Sequence, residues 1–464
     1  MSEQVETQFT EKNGANGTAG SVTPDLAALL AAAQEAEAYY DHEKAAARYT
    51  EALELPDLNP DEKLAVLNGR ATAFRRLGDT LNLIKDVDAI IALARQTGDK
   101  EKVASALIVD QTYLWYQDDD DRLAYIAETK ALGNELGDDR LIALSYLAKA
   151  IGDNFQDRKT TERNLRKALE HARRAQDIDV LFGVLVTYAE NRALFNDLAA
   201  AREYAAQARE LAAESGSLYK MCWATSVSGI VEIDLARRRA FFEQAIKQAQ
   251  TTNDQGHLAL MSNNYGLLMW RLGLYNRALA HAAKAVRIDQ QLGKRWSYVN
   301  DLDGLGRAYL AKGMLAEARE AFQRGLDEAG AWPNLQYFLM IGLARVLLAS
   351  GEYQKAIDCL GEVEDGLDPA APLALPVLGT AYLALGEAQR ALEYTSKAIA
   401  FQENGKDSDE YPAPEIWWRH YQVLEALGDD NAFDALNRAM LAMLEAIATL
   451  SDEGLRRNYL NKVA

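Results

Sequence analysis

Arg307 and Arg345 occupy equivalent places in two successive stretches of similar sequence. Four residues before each stands a side chain that a helix would put on the same face: Asp303 and Ile341. One stretch upstream the corresponding pair is Asn263 and Leu267, with Trp270 on the same projection and Arg271 at its edge. A guanidinium grips a carboxylate with two parallel hydrogen bonds, an Asn amide bonds a peptide group, and a Trp offers an apolar anchor. Such a row suits an extended peptide or a carboxylate-bearing ligand. Trp223 and Trp418 fall on the same projection, and Asn68, Arg75 and Arg76 form a similar cluster near the N-terminus. The competing reading is internal: Arg307 paired with Asp303 along one helix, and tryptophans packed between hairpins.

Other chemistry finds less support. The sequence has no GxxxxGK[ST], GxSxG or HExxH, and no GxGxxG after a strand, so no enzyme is expected. His42, His171, His257, His281 and His420 are scattered, and none has a metal-ligand partner at helical spacing. Cys222 and Cys359 lie on different predicted helices, which argues against a disulfide or a zinc site. No metal and no cofactor is expected. The run Asp118 to Asp121 lacks the alternating ligands and glycine of a calcium loop and reads as a solvated turn or helix start. Arg237, Arg238 and Arg239, followed by Phe241 and Phe242, either hold a phosphate or acidic partner or pair with acidic neighbours.

The elements that position these residues show in a repeat. Leu305-Gly306, Ala308-Tyr309, Gly313, Leu315, Ala318, Phe322 and Gly325-Leu326 form its clearest copy. Downstream, Leu343-Ala344, Gly351, Tyr353 and Ala356 repeat the first half, followed by Leu378-Gly379, Tyr382, Gly386, Ala391 and Ala398-Ile399. Upstream stand Tyr265-Gly266, Gly273, Tyr275, Ala278 and Ala285-Val286. A fixed period with small and large apolar residues at set offsets means stacked helical hairpins, in which the first helices line an inner groove. No proline interrupts the chain between Pro60 and Pro333. Turn signals such as Thr97-Gly98-Asp99, Ser215-Gly216-Ser217 and Leu292-Gly293-Lys294 punctuate it, with Gly ending one helix and Asp or Ser starting the next.

The ends differ from the middle. Residues 1–22 are polar and Gly-rich and read as a disordered leader. Thr23 as N-cap and Pro24 in the first turn would open the first helix. A long loop is expected near 402–414, and a closing helix from about Asn431. On that helix Phe433, Leu436, Met440, Met443, Ile447 and Leu450 follow heptad spacing, while Leu441, Leu444 and Leu455 widen the apolar face. The first pattern suits a dimer or signal-output helix, the second a cap on the preceding hairpin.

The formal net charge of −19 disfavours nucleic acid, whose phosphates need clustered Lys and Arg. No apolar run is long enough to span a membrane and no secretory signal is visible, so the expected compartment is the cytoplasm.

The repeated residues resemble the tetratricopeptide repeat family over about residues 24–430, most clearly in the units near 260, 299, 337 and 373. The Gly-Asp turns are similar to those of arrays attached to bacterial cyclases, kinases and transcription activators. The segment from Leu450 to Val463 is similar to what ends such arrays before an effector domain. The resemblance implies an all-α, right-handed superhelical solenoid of ten to eleven hairpins. Its domains would be the leader 1–22, the array 23–430 and a capping or linker helix 431–464. It further implies a non-catalytic scaffold that binds a protein or peptide in the concave groove, within the sensory or regulatory region of a bacterial signalling protein. Two alternatives stay open: a small-molecule or nucleotide sensor using Arg307, Arg345 and Trp270, and a structural scaffold that forms a homodimer through the last helix. The polar ladder is only partial beside that of chaperone-binding arrays, which disfavours a chaperone tail.

Overall fold

The computed structural model describes residues 25–108, 119–152, 158–194, 197–330, 332–364, 371–403 and 413–462. The leader, Thr23 and Pro24 therefore lie outside the described residues, as does most of the expected loop near 402–414. Among the described residues every regular element is a helix.

Among the described residues eleven helix pairs stack in chain order. The first three are α1 (Leu26–Ala38) with α2 (His42–Leu53), α3 (Pro60–Leu77) with α4 (Thr80–Thr97), and α5 (Lys100–Ile108) with α6 (Asp119–Leu136). Next come α7 (Asp139–Gly152) with α8 (Arg158–Ala175), and α9 (Ile178–Leu194) with α10 (Leu198–Ser215). The middle of the array is α11 (Leu218–Ile230) with α12 (Leu235–Thr251), and α13 (Gln255–Arg271) with α14 (Tyr275–Gln291). Then follow α15 (Arg295–Ala311) with α16 (Leu315–Ala329), α17 (Pro333–Ala349) with α18 (Tyr353–Glu364), and α19 (Ala371–Ala384) with α20 (Ala388–Glu403). The last pair is α21 (Ala413–Leu427) with α22 (Ala432–Ala448), and a single helix α23 (Glu453–Lys462) ends the described chain. One closing helix was expected after Asn431; the chain instead breaks after Ala448 and forms two.

Local chemistry explains the boundaries. Gly313 adopts φ 72°, and Met314 N–H bonds back to the Tyr309 carbonyl at 3.0 Å. That left-handed residue satisfies the last carbonyls of α15 and turns the chain into α16. Where glycine is missing, Asn253 takes φ 50°, and the Asp254 side chain accepts from His257 N–H at 2.9 Å to cap α13. At the N-terminal end the cap is Asp25, which accepts from Ala28 N–H at 2.7 Å.

The repeat residues hold neighbouring hairpins together. Phe322 of α16 is fully buried against both Gly306 of α15 and Gly342 of α17. A Cβ at Gly306 would sit 2.6 Å from its ring. The glycines thus make room for one aromatic that bridges two hairpins. The first helices α13, α15, α17, α19 and α21 pack side by side and form a continuous inner wall.

Both ends of the array fold back onto its middle. At the N-terminal end α3 packs on α13. His42 Nε2 lies 2.9 Å from the Thr252 carbonyl and 2.8 Å from the Tyr219 hydroxyl. Arg76 lies 3.4 Å over the Tyr219 ring and 3.8 Å from the Asp254 carboxylate. At the C-terminal end Leu450, Leu455 and Tyr459 join the core built by α11 to α15.

Candidate partner-binding wall

The inner wall carries the side chains singled out in the sequence, but in two different states. Asn263 is 1 % exposed, Asp303 9 % and Arg307 6 %. Asn263 is wedged against Gly304 of the next hairpin, at 2.6 Å from where a Cβ would stand. Arg307 Nε donates to Asp303 Oδ2 at 2.7 Å, and its guanidinium lies 5.9 Å from the centre of the Trp270 ring. Arg307 and Asp303 are thus paired along one helix, and Asn263 is buried between hairpins. Closing the pair off from solvent leaves little water to screen it and also takes both ions out of water, so breaking it by removing one partner would strand a buried charge.

Trp270, Arg271 and Arg345 remain partly exposed. Arg345 reaches Glu415 of α21 at 3.9 Å. Glu415 also accepts from Arg419 at 2.8 Å, and Arg419 bonds the Thr380 hydroxyl of α19 at 2.5 Å. Glu415, Arg419 and Thr380 were missed in the sequence, although the i,i+4 spacing of Glu415 and Arg419 is a visible signal. The result is a strip of alternating charge running from α17 across α19 to α21.

The N-terminal cluster is not part of that strip. Asn68 donates to the Leu64 carbonyl of its own helix at 2.7 Å. Arg76 is spent on Tyr219 and Asp254, and Arg75 beside it is partly buried. Trp223 is partly buried with its ring 4.6 Å from that of His257, while Trp418 is exposed with its ring 5.2 Å from that of Tyr421.

Phe433, Leu436, Met440, Met443 and Ile447 share one stripe of α22 that is only partly covered. Phe433 is 68 % exposed and Met440 is exposed too, Leu436, Met443 and Ile447 are partly buried, and Leu450 lies beyond the end of α22, fully buried in the middle of the array. The face of α22 that is buried is carried by Ala435 and Ala439.

The remaining motifs have structural roles. Arg237 lies 3.8 Å from Asp234, Arg239 lies 3.6 Å from Glu243, and Arg238 donates to the Glu232 carbonyl at 2.9 Å, so the basic run packs against its own turn and helix. Helix α6 starts at Asp119; Asp118 and the side chains of 119–121 lie outside the described residues. Burial pushes His257 down to about 4 and the Cys222 thiol up to about 12. His257 therefore stays neutral beside the Ser226 hydroxyl, 2.7 Å away, and Cys222 stays a thiol. Among the described residues no group of three or more His, Cys, Asp or Glu is placed to hold a metal ion.

Comparison with known proteins adds the family. A family model for the tetratricopeptide repeat matches residues 257–327, which span α13 to α16. No protein with curated annotation matches the sequence. Solved structures with a similar course include a Rap protein complexed with competence and sporulation factor, at 16 % identity and TM-score 0.49, covering 82 % of this chain and 98 % of that one. NprR in complex with its cognate peptide NprX is similar at 15 % identity and TM-score 0.45, covering 68 % and 96 %. A signal transduction ATPase with a tetratricopeptide repeat sensor from Pyrococcus horikoshii is similar at 13 % identity and TM-score 0.40, covering 86 % of this chain and 55 % of that one. Residues 257–327 thus match the tetratricopeptide repeat, and the described hairpins on either side are paired helices of similar construction.

Proposed function

We propose that this array is a non-catalytic scaffold that binds a protein or peptide along its inner wall, in the cytoplasm, as the sensory or regulatory region of a bacterial signalling protein. The observation that carries the reading is that Trp270 and Arg271 of α13 and the linked Arg345, Glu415 and Arg419 of α17 and α21 stay partly exposed, while Asn263, Asp303 and Arg307 are buried. Alternating cations and a carboxylate beside a Trp suit the charged side chains and apolar anchors of a peptide. A net charge of −19 argues against nucleic acid as the partner. The neutral His257 and the protonated Cys222 offer neither a charged acid nor a nucleophile at neutral pH. Among the described residues no helix is long and apolar enough to cross a membrane.

The test is affinity capture from a lysate of the source organism, with the full chain beside an Arg271→Glu/Arg345→Glu variant. Reversing two charges on the strip is expected to lower recovery of a specific partner at least about tenfold, a difference of roughly 1.4 kcal/mol. Equal recovery of every captured protein overturns the proposal.

A further inference from the structure

Helix α23 sits on the array as a bound ligand would. Asp452 caps it, accepting from Leu455 N–H at 2.8 Å, and Glu453 pairs with Arg457 on its outer face. The inner face is Leu455 and Tyr459, one turn apart, with Leu450 just before the helix; all three are buried among Leu235, Leu258, Leu268 and Leu272. Polar bonds fix the register at both ends. Ser451 N–H donates to Asp234 Oδ1 at 3.3 Å, and the Asn458 amide donates to the Leu272 carbonyl. Asp234 is the N-cap of α12 and Leu272 the C-cap of α13, so α23 lies across the turns that join α11 to α12 and α13 to α14. Its far end reaches the proposed binding strip, where Tyr459 feels the charges of Arg271 and Glu415.

Its attachment is light. Thr449 to Asp452 is the whole link to α22, and α23 itself has 10 residues. A helix that short does not hold in water without its docking surface, so leaving the seat and melting are one event. Three apolar side chains are set against the ordering of the whole segment, which leaves a small net preference for the docked state. A partner helix that brings the same side chains competes on near-equal terms.

We infer that the surface across the α11–α12 and α13–α14 turns recognises an amphipathic helix with Leu, Leu and Tyr in the register of Leu450, Leu455 and Tyr459 and an Asn just before the Tyr. Helix α23 is the resident competitor that such a partner displaces on its way to Arg271. The inference rests on the binding role proposed above and narrows the partner to a helix.

A fluorescein-labelled peptide spanning residues 449–462 tests this by anisotropy against two full-length chains. Wild type, with its seat filled, is expected to bind the peptide at least about tenfold more weakly than a Leu455→Ser/Tyr459→Ala variant whose own helix has been released. Placing Asn458→Ala in the peptide is expected to weaken binding to that variant about fivefold or more, through the unpaired Leu272 carbonyl. Equal affinity for the two chains overturns the inference, and so does a variant that dimerises and excludes the peptide. Hydrogen exchange on wild type covers the case in which the variant does not fold. Amides of 454–461 are expected to exchange well before those of α13 and α15, and exchange in step with that core overturns displacement. Should the peptide fail while partner capture stays sensitive to Arg271→Glu/Arg345→Glu, the strip remains a binding site and only the helix assignment falls.

Discussion

The middle hairpins, α11 to α14, are held by the two ends of the chain through different chemistry. The N-terminal contact is polar and aromatic: Arg76 on the Tyr219 ring, His42 on a backbone carbonyl, and Tyr40 edge-on to Tyr219 at 5.7 Å. The C-terminal contact is apolar, with Leu450, Leu455 and Tyr459 buried and hydrogen bonds only at its ends. The first joins whole hairpins, α1–α2 and α3–α4, to the middle of the array. The second is one short helix past the last hairpin. The difference teaches that one contact closes the array, while the other is built to come and go.

The largest effect tests what both contacts depend on. Phe322→Ala empties the space between Gly306 and Gly342 and is expected to cost about 3–5 kcal/mol in urea unfolding. A loss below that of any end-contact variant would mean that the ends, and not the repeats, carry the stability.

Next comes the N-terminal contact. Tyr219→Ala removes the ring under Arg76 and the hydroxyl beside His42, at an expected cost of about 2–3 kcal/mol. The loss should appear as faster hydrogen exchange in α2 and α3, with the amides of α23 unchanged. Equal acceleration in α23 would join the two contacts into one unit.

The smallest effect separates them by pH. Burial pushes His42 below its ordinary 6.5. The unfolded chain then takes up the proton more readily than the folded one, so this stability is fully present above 6.5 and is lost as pH falls through that value toward the folded pKa. Asp234 at the C-terminal contact behaves otherwise. Burial raises its pKa, but hydrogen bonds from Ser451 and Ala236 outweigh that and hold it below the usual carboxylate range. Between about pH 7 and 5, once rates are corrected for the intrinsic base-catalysed exchange, protection in α2 and α3 should fall while that of α23 stays level. A matching response in α23 would break the distinction.

Much of the architecture was legible because a repeat writes its packing locally. Gly313 answers to its own turn, Gly306 to Phe322 across one hairpin, and Phe322 to Gly342 of the next, so spacing alone placed them. The same spacing put Asn263, Arg307 and Arg345 on the inner face. It did not say that Asn263 would be pressed against Gly304, or that Arg345 would find Glu415 two hairpins on. Those depend on how tightly successive first helices approach.

By itself, then, the sequence determined the helices, their pairing and their inward faces, because each rests on contacts within one or two hairpins. Only the tertiary structure decided that α3 meets α13, that Arg76 is taken up by Tyr219, and that residues 450–459 land on 234–272. These meetings follow from small rotations between hairpins, summed over the array into a curvature that no single repeat encodes.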